Sequence, residues 1–299
     1  MRGTATRNAI LWGVVGILLI VVVWELYKTF APDDGIVLFA VEGERRSGIR
    51  VSPRASDRAM PHLFDIVQAL FQPVSGQGTP ILINLVALGV LRTLGYAAVG
   101  WIIALIVALV LALVMQRWRL AEWGVLPWVV VSQTVPLIAF APILATIGFQ
   151  LNEQGIAWPQ WLTVSVIASY LAFFPMTVGA LRGLTSVDRT QLELMHSYAA
   201  GYWATLIKLR LPAAVPHLLP ALRLGATTAI IGAIVAEVSI GVGGGIGGLL
   251  IGTAGQGTSD PAKPWGPVLG AVALGFIAVG IVALISLLLS RFRRQEATA

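Results

Sequence analysis

Residues Leu192 to Pro220 read LELMHSYAAGYWATLIKLRLPAAVPHLLP, a long polar passage between two strongly apolar segments. Just ahead of it, Asp188 stands where a helix N-cap would, with Gln191 three residues on, a spacing that satisfies free amides at a helix start. A short helix is expected there, with Leu192, Met195 and Ala199 on one face. Gly201 then relaxes the backbone. Tyr202, Trp203, Leu206, Leu209 and Leu211 continue an amphipathic pattern until Pro212, with Lys208 and Arg210 on the polar side. The expected shape is an elbow of two short helices with a bend, lying outside the bilayer. On periodicity alone it is either a plain connecting loop or a docking surface for a soluble partner.

Outward from the elbow the chain is apolar. Of its 299 residues 57% are hydrophobic and 11% charged, with a mean hydropathy of +0.84. Soluble domains carry about 25% charged residues, so this is an integral membrane protein, and its long apolar windows make it all-α and polytopic. Crossing the hydrocarbon core takes about 20 apolar residues. Six windows qualify: Ala9 to Tyr27, Ile81 to Met115, Trp123 to Ile147, Trp161 to Leu181, Leu218 to Ile240, and Val268 to Leu289. The second exceeds one crossing and is expected to tilt or project. The first follows Arg2 and Arg7 as a signal peptide would, but its run is long and no clear cleavage site follows, so it reads as an uncleaved span.

The formal charge of +6 is not arranged as a basic stripe interleaved with aromatics, which argues against a nucleic-acid partner. Membrane topology explains it better. With the N-terminus inside, Arg117, Arg119, Arg182, Arg189, Lys208, Arg210 and Arg223 collect on the inner side, as the positive-inside rule asks of short loops. Both termini and the elbow are then cytoplasmic. The five Arg between positions 45 and 58 fall in a long outer segment, where the rule binds less. The chain has no cysteine, and His62, His196 and His217 lie on separate segments, so neither a thiolate nucleophile nor a metal motif is legible. No Gly-x-Ser-x-Gly elbow occurs, and a membrane enzyme is unsupported.

Between the spans, Val41 to Ser56 reads as a disordered or hairpin-like insert. Asp57 to Phe71 reads as an amphipathic helix with Leu63, Val67, Leu70 and Phe71 on one face, lying on the outer membrane surface or else meeting a substrate-delivery protein. Ser132, Gln133 and Thr134 precede Pro136 near mid-membrane, where polar groups line a pathway or bond between helices. Tyr170, followed by Phe173 and Phe174, suits a flat heterocycle or plain packing. Glu237, toward the outer end of the fifth span, is a pathway group or one half of an ion pair with Arg92, the lone charge of the second. Gly243, Gly245 and Gly248 satisfy a Gly-x-Gly-x-x-Gly pattern, but with no preceding strand and no Lys-Ser/Thr ending the run reads as a tight outer turn, not a nucleotide site.

The elbow resembles the cytoplasmic loop of ABC importer permeases, which reads Glu-Ala-Ala, three residues, Gly, nine residues, Ile, one residue, Leu-Pro. Aligned on Leu211-Pro212, Glu193 falls on the Glu and Leu209 on the Ile, while Leu194, Met195 and Ala199 replace the small residues. Phe174-Pro175, Leu181-Arg182-Gly183-Leu184, Pro216, Ala221-Leu222-Arg223-Leu224 and Ala236-Glu237 resemble the nitrate/sulfonate/taurine type of that family, and Leu192-Glu193-Leu194-Met195 with Ser197-Tyr198-Ala199-Ala200 is similar to its thiamine-precursor pyrimidine and riboflavin branch. The resemblance implies a type I importer permease: a first span over 1–27, an extracytoplasmic segment over 28–80, a permease core over 81–290 with its coupling elbow at 186–217, and a cytoplasmic tail over 291–299.

It also implies a bacterial inner-membrane subunit without cofactor or catalysis of its own. Its partners would be cytoplasmic ATPases carrying ATP and Mg, a second permease and an extracytoplasmic binding protein. Glu193, Leu194, Met195, Ala199, Gly201, Leu209, Leu211 and Pro212 would meet the ATPase. The rival class, a self-sufficient secondary transporter, needs ion-coupling carboxylates at mid-membrane, and Glu25 and Glu237 both fall near span ends.

Overall fold

A computed structural model describes residues 2–38, 49–75 and 78–288. Among the described residues the regular structure is helical apart from an isolated bridge between Pro73 and Ile81 and one antiparallel pair of two-residue strands, β1 (Val37–Leu38) and β2 (Ile49–Arg50), in register Val37 with Arg50 and Leu38 with Ile49. The first half of the insert expected at 41–56, residues 41–48, lies outside the described residues. Among the described residues five helical stretches are long and apolar enough to cross a membrane. They are Leu11–Phe30 in α1 (Arg2–Phe30), α3 (Leu82–Arg117), α6 (Gln160–Thr185), the continuous Tyr202–Ile240, and Trp265–Leu284 in α11 (Trp265–Leu288).

The third expected span is broken. Instead of one helix over Trp123 to Ile147, α4 (Arg119–Ser132) and α5 (Leu137–Glu153) meet at an angle of 99°. Pro136 is the cause: it has no amide to continue the ladder, and it keeps the residue before it out of the α region. If the bent pair is one span, the total is six.

The chain divides into two compact units. The first comprises Met1–Val86 and Gly252–Leu269. Here the last turns of α1 are stitched to the segment after the strands. Tyr27 Oη donates to Pro53 O at 2.7 Å, Lys28 Nζ to Asp57 Oδ1 at 2.6 Å, and Trp24 Nε1 to Pro61 O at 3.2 Å. The Lys28 ammonium, through that hydrogen bond, holds the Asp57 carboxyl below its usual pKa. The amphipathic helix α2 (Leu63–Leu70) begins later than expected, because Pro61 delays it. Its first amide, Leu63 N, donates to Glu25 Oε1 at 2.7 Å, and His62 Nδ1 lies 2.8 Å from Glu25 Oε2. Ile66 and Ala69 are buried with Leu63, Ala262 and Trp265, so Leu63 packs inward while Val67 and Phe71, expected on the same membrane-facing side, are exposed.

The second unit comprises Ala87–Ile251 and Gly270–Ala299. Its spine is a seam of small residues between α6 and α9 (Leu211–Ile240). A Cβ added at Gly179 would lie 2.2 Å from that of Ala221, and one at Gly183 would lie 2.9 Å from the Ala214 carbonyl oxygen. Lipid tails leave helices little hydrophobic reason to associate, so close backbone approach through small residues supplies the contact. On α3, Ala104, Ala108, Ala112 and Met115 recur at helical spacing and are buried, and Trp101 Nε1 donates to the Leu222 carbonyl at 3.1 Å.

Candidate coupling elbow and pathway

The elbow begins where expected. Asp188 occupies the N-cap of α7 (Arg189–Ser197) with extended dihedrals, although its side chain makes no capping bond. No residue of α7 is buried. The carboxylate of Glu193 takes a hydrogen bond from Arg189 Nε at 3.0 Å on the open surface. The helix stops in a Schellman arrangement, with Ala199 N donating to His196 O at 2.9 Å and Ala200 N to Met195 O at 3.0 Å. That geometry needs a left-handed residue, and Ala199 supplies it at φ 52°. Gly201, expected to relax the chain, sits at φ −69°, a value open to any residue.

The second arm departs from expectation. After α8 (Tyr202–Thr205) the chain passes through a π-helical turn at Leu206–Arg210 and runs on into α9 without stopping at Pro212. Proline cannot serve the usual amide and its ring collides with the carbonyl four residues back; the wider turn just before it removes that collision. Pro212 thus sits at the start of α9, and the fifth span begins at the elbow itself.

The inner face of this arm is fixed to two other helices. Leu206 is buried with Met115 of α3 and Leu181 and Leu184 of α6. Tyr202 Oη lies 3.1 Å from Gln116 Oε1, and the Arg117 guanidinium lies 5.1 Å from the Tyr202 ring centroid. Arg210 Nη1 donates to the Leu184 carbonyl at 3.0 Å. Trp203, 69% exposed, and Ile207 on this arm are open and apolar, and before the bend Leu194 and Tyr198, the latter 77% exposed, are in the open as well. Of the residues expected to meet a partner, Glu193, Leu194, Ala199, Gly201, Leu211 and Pro212 are exposed, whereas Met195 and Leu209 are half-buried. Tyr198, Trp203 and Ile207 were not singled out for docking. Their signal was large apolar side chains in a passage otherwise too polar to bury them.

Ser132, Gln133 and Thr134 lie at the break between α4 and α5. Ser132 Oγ and Thr134 Oγ1 donate back to the carbonyls of Val129 and Val131, each at 2.8 Å. Tyr170 of α6 reaches the same place, its hydroxyl donating to the Ser132 carbonyl, which also takes a long bond from Val135 N at 3.4 Å, and Gln133 Nε2 approaches the Tyr170 carbonyl at 3.4 Å. Phe140 and Phe173 flank the Tyr170 ring, with centroids 4.9 and 6.1 Å away. The expected pathway residues of α4 and α6 therefore form one cluster of a broken helix, a tyrosine and two phenylalanines.

Glu237 belongs to a different set. It is fully buried near the end of α9, and its carboxylate accepts from Thr93 Oγ1 at 2.8 Å and from Gly247 N at 2.7 Å. The same Thr93 oxygen accepts from Ile246 N at 2.9 Å. One carboxyl group and one hydroxyl thus hold the first amides of α10 (Ile246–Ala254) against α3 and α9. Among the described residues no ion pair joins Glu237 to Arg92, whose guanidinium lies beside Gly244. Two glycines of the run are explained by this lock: a Cβ at Gly245 would fall 2.1 Å from Glu237 Oε1, and one at Gly247 2.5 Å from Glu237 Cβ. Thr93 escaped notice because one threonine in an apolar helix ordinarily bonds its own backbone.

A cavity of about 200 Å³ between α3, α9 and α11 is lined by apolar residues including Ala97, Trp101, Ile230 and Ile281. Neither the Tyr170 cluster nor Glu237 contributes to it. Among the described residues no group of three or more His, Asp and Glu is placed to hold a metal ion.

Residues 100–295 match the family described as binding-protein-dependent transport system inner membrane component. Over 146 residues the chain is 33% identical to the formylaminopyrimidine transport permease protein of Halalkalibacterium halodurans, covering 48% of this chain and 54% of that one. Over 160 residues it is 31% identical to a probable ABC transporter permease protein of Haemophilus influenzae, covering 53% and 61%. Over 175 residues it is 31% identical to the riboflavin transport system permease protein of Chloroflexus aurantiacus, covering 58% and 55%. The aligned part is thus about half to three fifths of the length of each relative.

Proposed function

The chain belongs to the family of binding-protein-dependent transport system inner membrane components, and from that premise we propose that it is the permease of an ATP-driven importer whose cytoplasmic ATPase docks on the open face of the elbow. The observation that carries this reading is the continuity of Tyr202–Ile240. At 1.5 Å per residue this is a rod roughly 58 Å long. Its first turns carry the exposed Trp203 and Ile207, and its far end carries the Glu237 lock. A displacement of the elbow moves the fifth span directly, and the α6–α9 seam carries α6, with Tyr170, along. That is alternating access by rigid-body rocking, with ATP and Mg bound by the partner.

The remaining expectations stand on the same footing. The N- and C-termini are cytoplasmic, a second permease completes the membrane part, and an extracytoplasmic binding protein delivers the solute. The solute is a small neutral aromatic heterocycle of the pyrimidine or flavin kind. Two relatives carry such names, and the Phe140–Tyr170–Phe173 cluster offers ring faces beside a broken helix. Nitrate, sulfonate or taurine is the rival solute: the N-terminus of α5 at the same break suits an anion, whereas none of the side chains named in the cluster is an arginine.

The test is tagged purification from the native host in mild detergent, with mass spectrometry of what stays bound, for the wild type, Glu193→Arg and Trp203→Asp. Both substituted side chains are exposed, so both variants reach the membrane. An ATPase is expected with the wild type, with greatly reduced recovery for both variants. A chain that purifies alone, and still transports when reconstituted alone, overturns the reading.

A further inference from the structure

Helix α2 has two apolar faces. Leu63, Ile66 and Ala69 pack against Ala262 and Trp265, while Phe64, Val67 and Phe71 form a second stripe at i, i+3 and i+7 that nothing in its own unit covers. Phe64 is 75% and Phe71 63% exposed, and Asp65 and Gln68 occupy the remaining arc. Two tryptophans fix the level of this helix. Trp24 lies in the last two turns of the α1 span, and Trp265 opens the α11 span; their rings meet edge to face at 5.0 Å. Tryptophan concentrates at the membrane–water boundary. Trp24 bonds Pro61 just ahead of α2, Glu25 bonds its first amide, and Trp265 packs beneath it.

We propose that α2 lies in the lipid interface, with Phe64, Val67 and Phe71 inserted among the acyl chains of the leaflet where α1 ends and α11 begins. A helix eight residues long, about 12 Å, tied at the level of both tryptophans, has no room to carry this stripe clear of the bilayer. The flanking Arg54 and Arg58 are exposed, and their charge suits anionic phospholipid headgroups. The insertion depends on the two spans and not on which side of the membrane they end. It clamps the segment after the strands, already bonded to α1 through Lys28, to the bilayer surface.

The absence of cysteine from the chain permits a clean test. Phe64→Cys, Val67→Cys and Phe71→Cys, with Asp65→Cys and Gln68→Cys as controls, are each spin-labelled in the full chain. Each is reconstituted in nanodiscs of phosphatidylethanolamine and phosphatidylglycerol with no partner protein. Labels at 64, 67 and 71 are expected to collide severalfold more with oxygen, relative to a water-soluble nickel chelate, than labels at 65 and 68. Equal nickel access at all five positions overturns the proposal. Shielding of 64, 67 and 71 that arises only after an extracytoplasmic binding protein is added overturns it too, and makes the stripe a protein-docking face.

Discussion

At Ala199 the chain holds a non-glycine residue at φ 52°, in the Schellman turn that ends α7. A Cβ there costs roughly 1–2 kcal/mol, offset in part because glycine is more flexible in the unfolded chain. Ala199→Gly is therefore expected to stabilise the purified protein by about 1 kcal/mol, read as a raised thermal midpoint in detergent. No change, or a loss, would mean that the turn is not strained. The family's loop carries glycine at this position, so the departure legible in the sequence falls at the one left-handed non-glycine among the described residues. Glu237 teaches the opposite lesson. Its presence in a span was plain, but its partners Thr93 and Gly247 are 144 and 10 residues away, and no local pattern announces them.

Among the elements, the α6–α9 pairing is the most sharply specified. Gly183→Val would drive side-chain carbons into Ala214, backbone included, where no flexible neighbour can yield. Overpacking of this kind costs about 1–3 kcal/mol. The expected outcome is a lowered thermal midpoint, with a smaller loss for Gly183→Ala; a Val variant as stable as the wild type would show that the helices separate freely. The elbow shows how element boundaries escape the sequence. Its first helix was readable from Asp188 and the spacing of Leu192 and Met195. The second was expected to end at Pro212, because proline usually ends helices. The π turn at Leu206–Arg210 lets the helix pass, and a π turn has no sequence signature of its own. The third span erred the other way: an unbroken apolar run hid a 99° bend, since hydropathy records composition and not direction.

For the whole molecule, the proposed importer function asks that a push at the elbow reach the pathway, so docking and transmission are separable. Trp203 lies on the open face, and Tyr202, one residue earlier, points inward to Gln116 and Arg117. Tyr202→Ala is expected to leave the ATPase bound but to lower severalfold the ATP hydrolysis that loaded binding protein stimulates in proteoliposomes. Full stimulation would place transmission elsewhere, and loss of the ATPase would merge the two faces. The class of the protein and most of its membrane crossings were set by the sequence alone, because bilayer thickness turns apolar run length into a count of helices. Family membership was equally legible, from the elbow residues Glu193, Leu209, Leu211 and Pro212 and from the Ala236-Glu237 pair. Only the tertiary structure decided what faces what. It joined the elbow to the fifth span, brought Tyr170 onto the Ser132 carbonyl at the break, gave Glu237 to Thr93 instead of Arg92, and split the apolar surface of α2 into a packed and an open half. The physical reason is that an apolar or hydrogen-bonding residue declares only that it needs a partner, and the partner is chosen by helix packing between segments far apart in the chain.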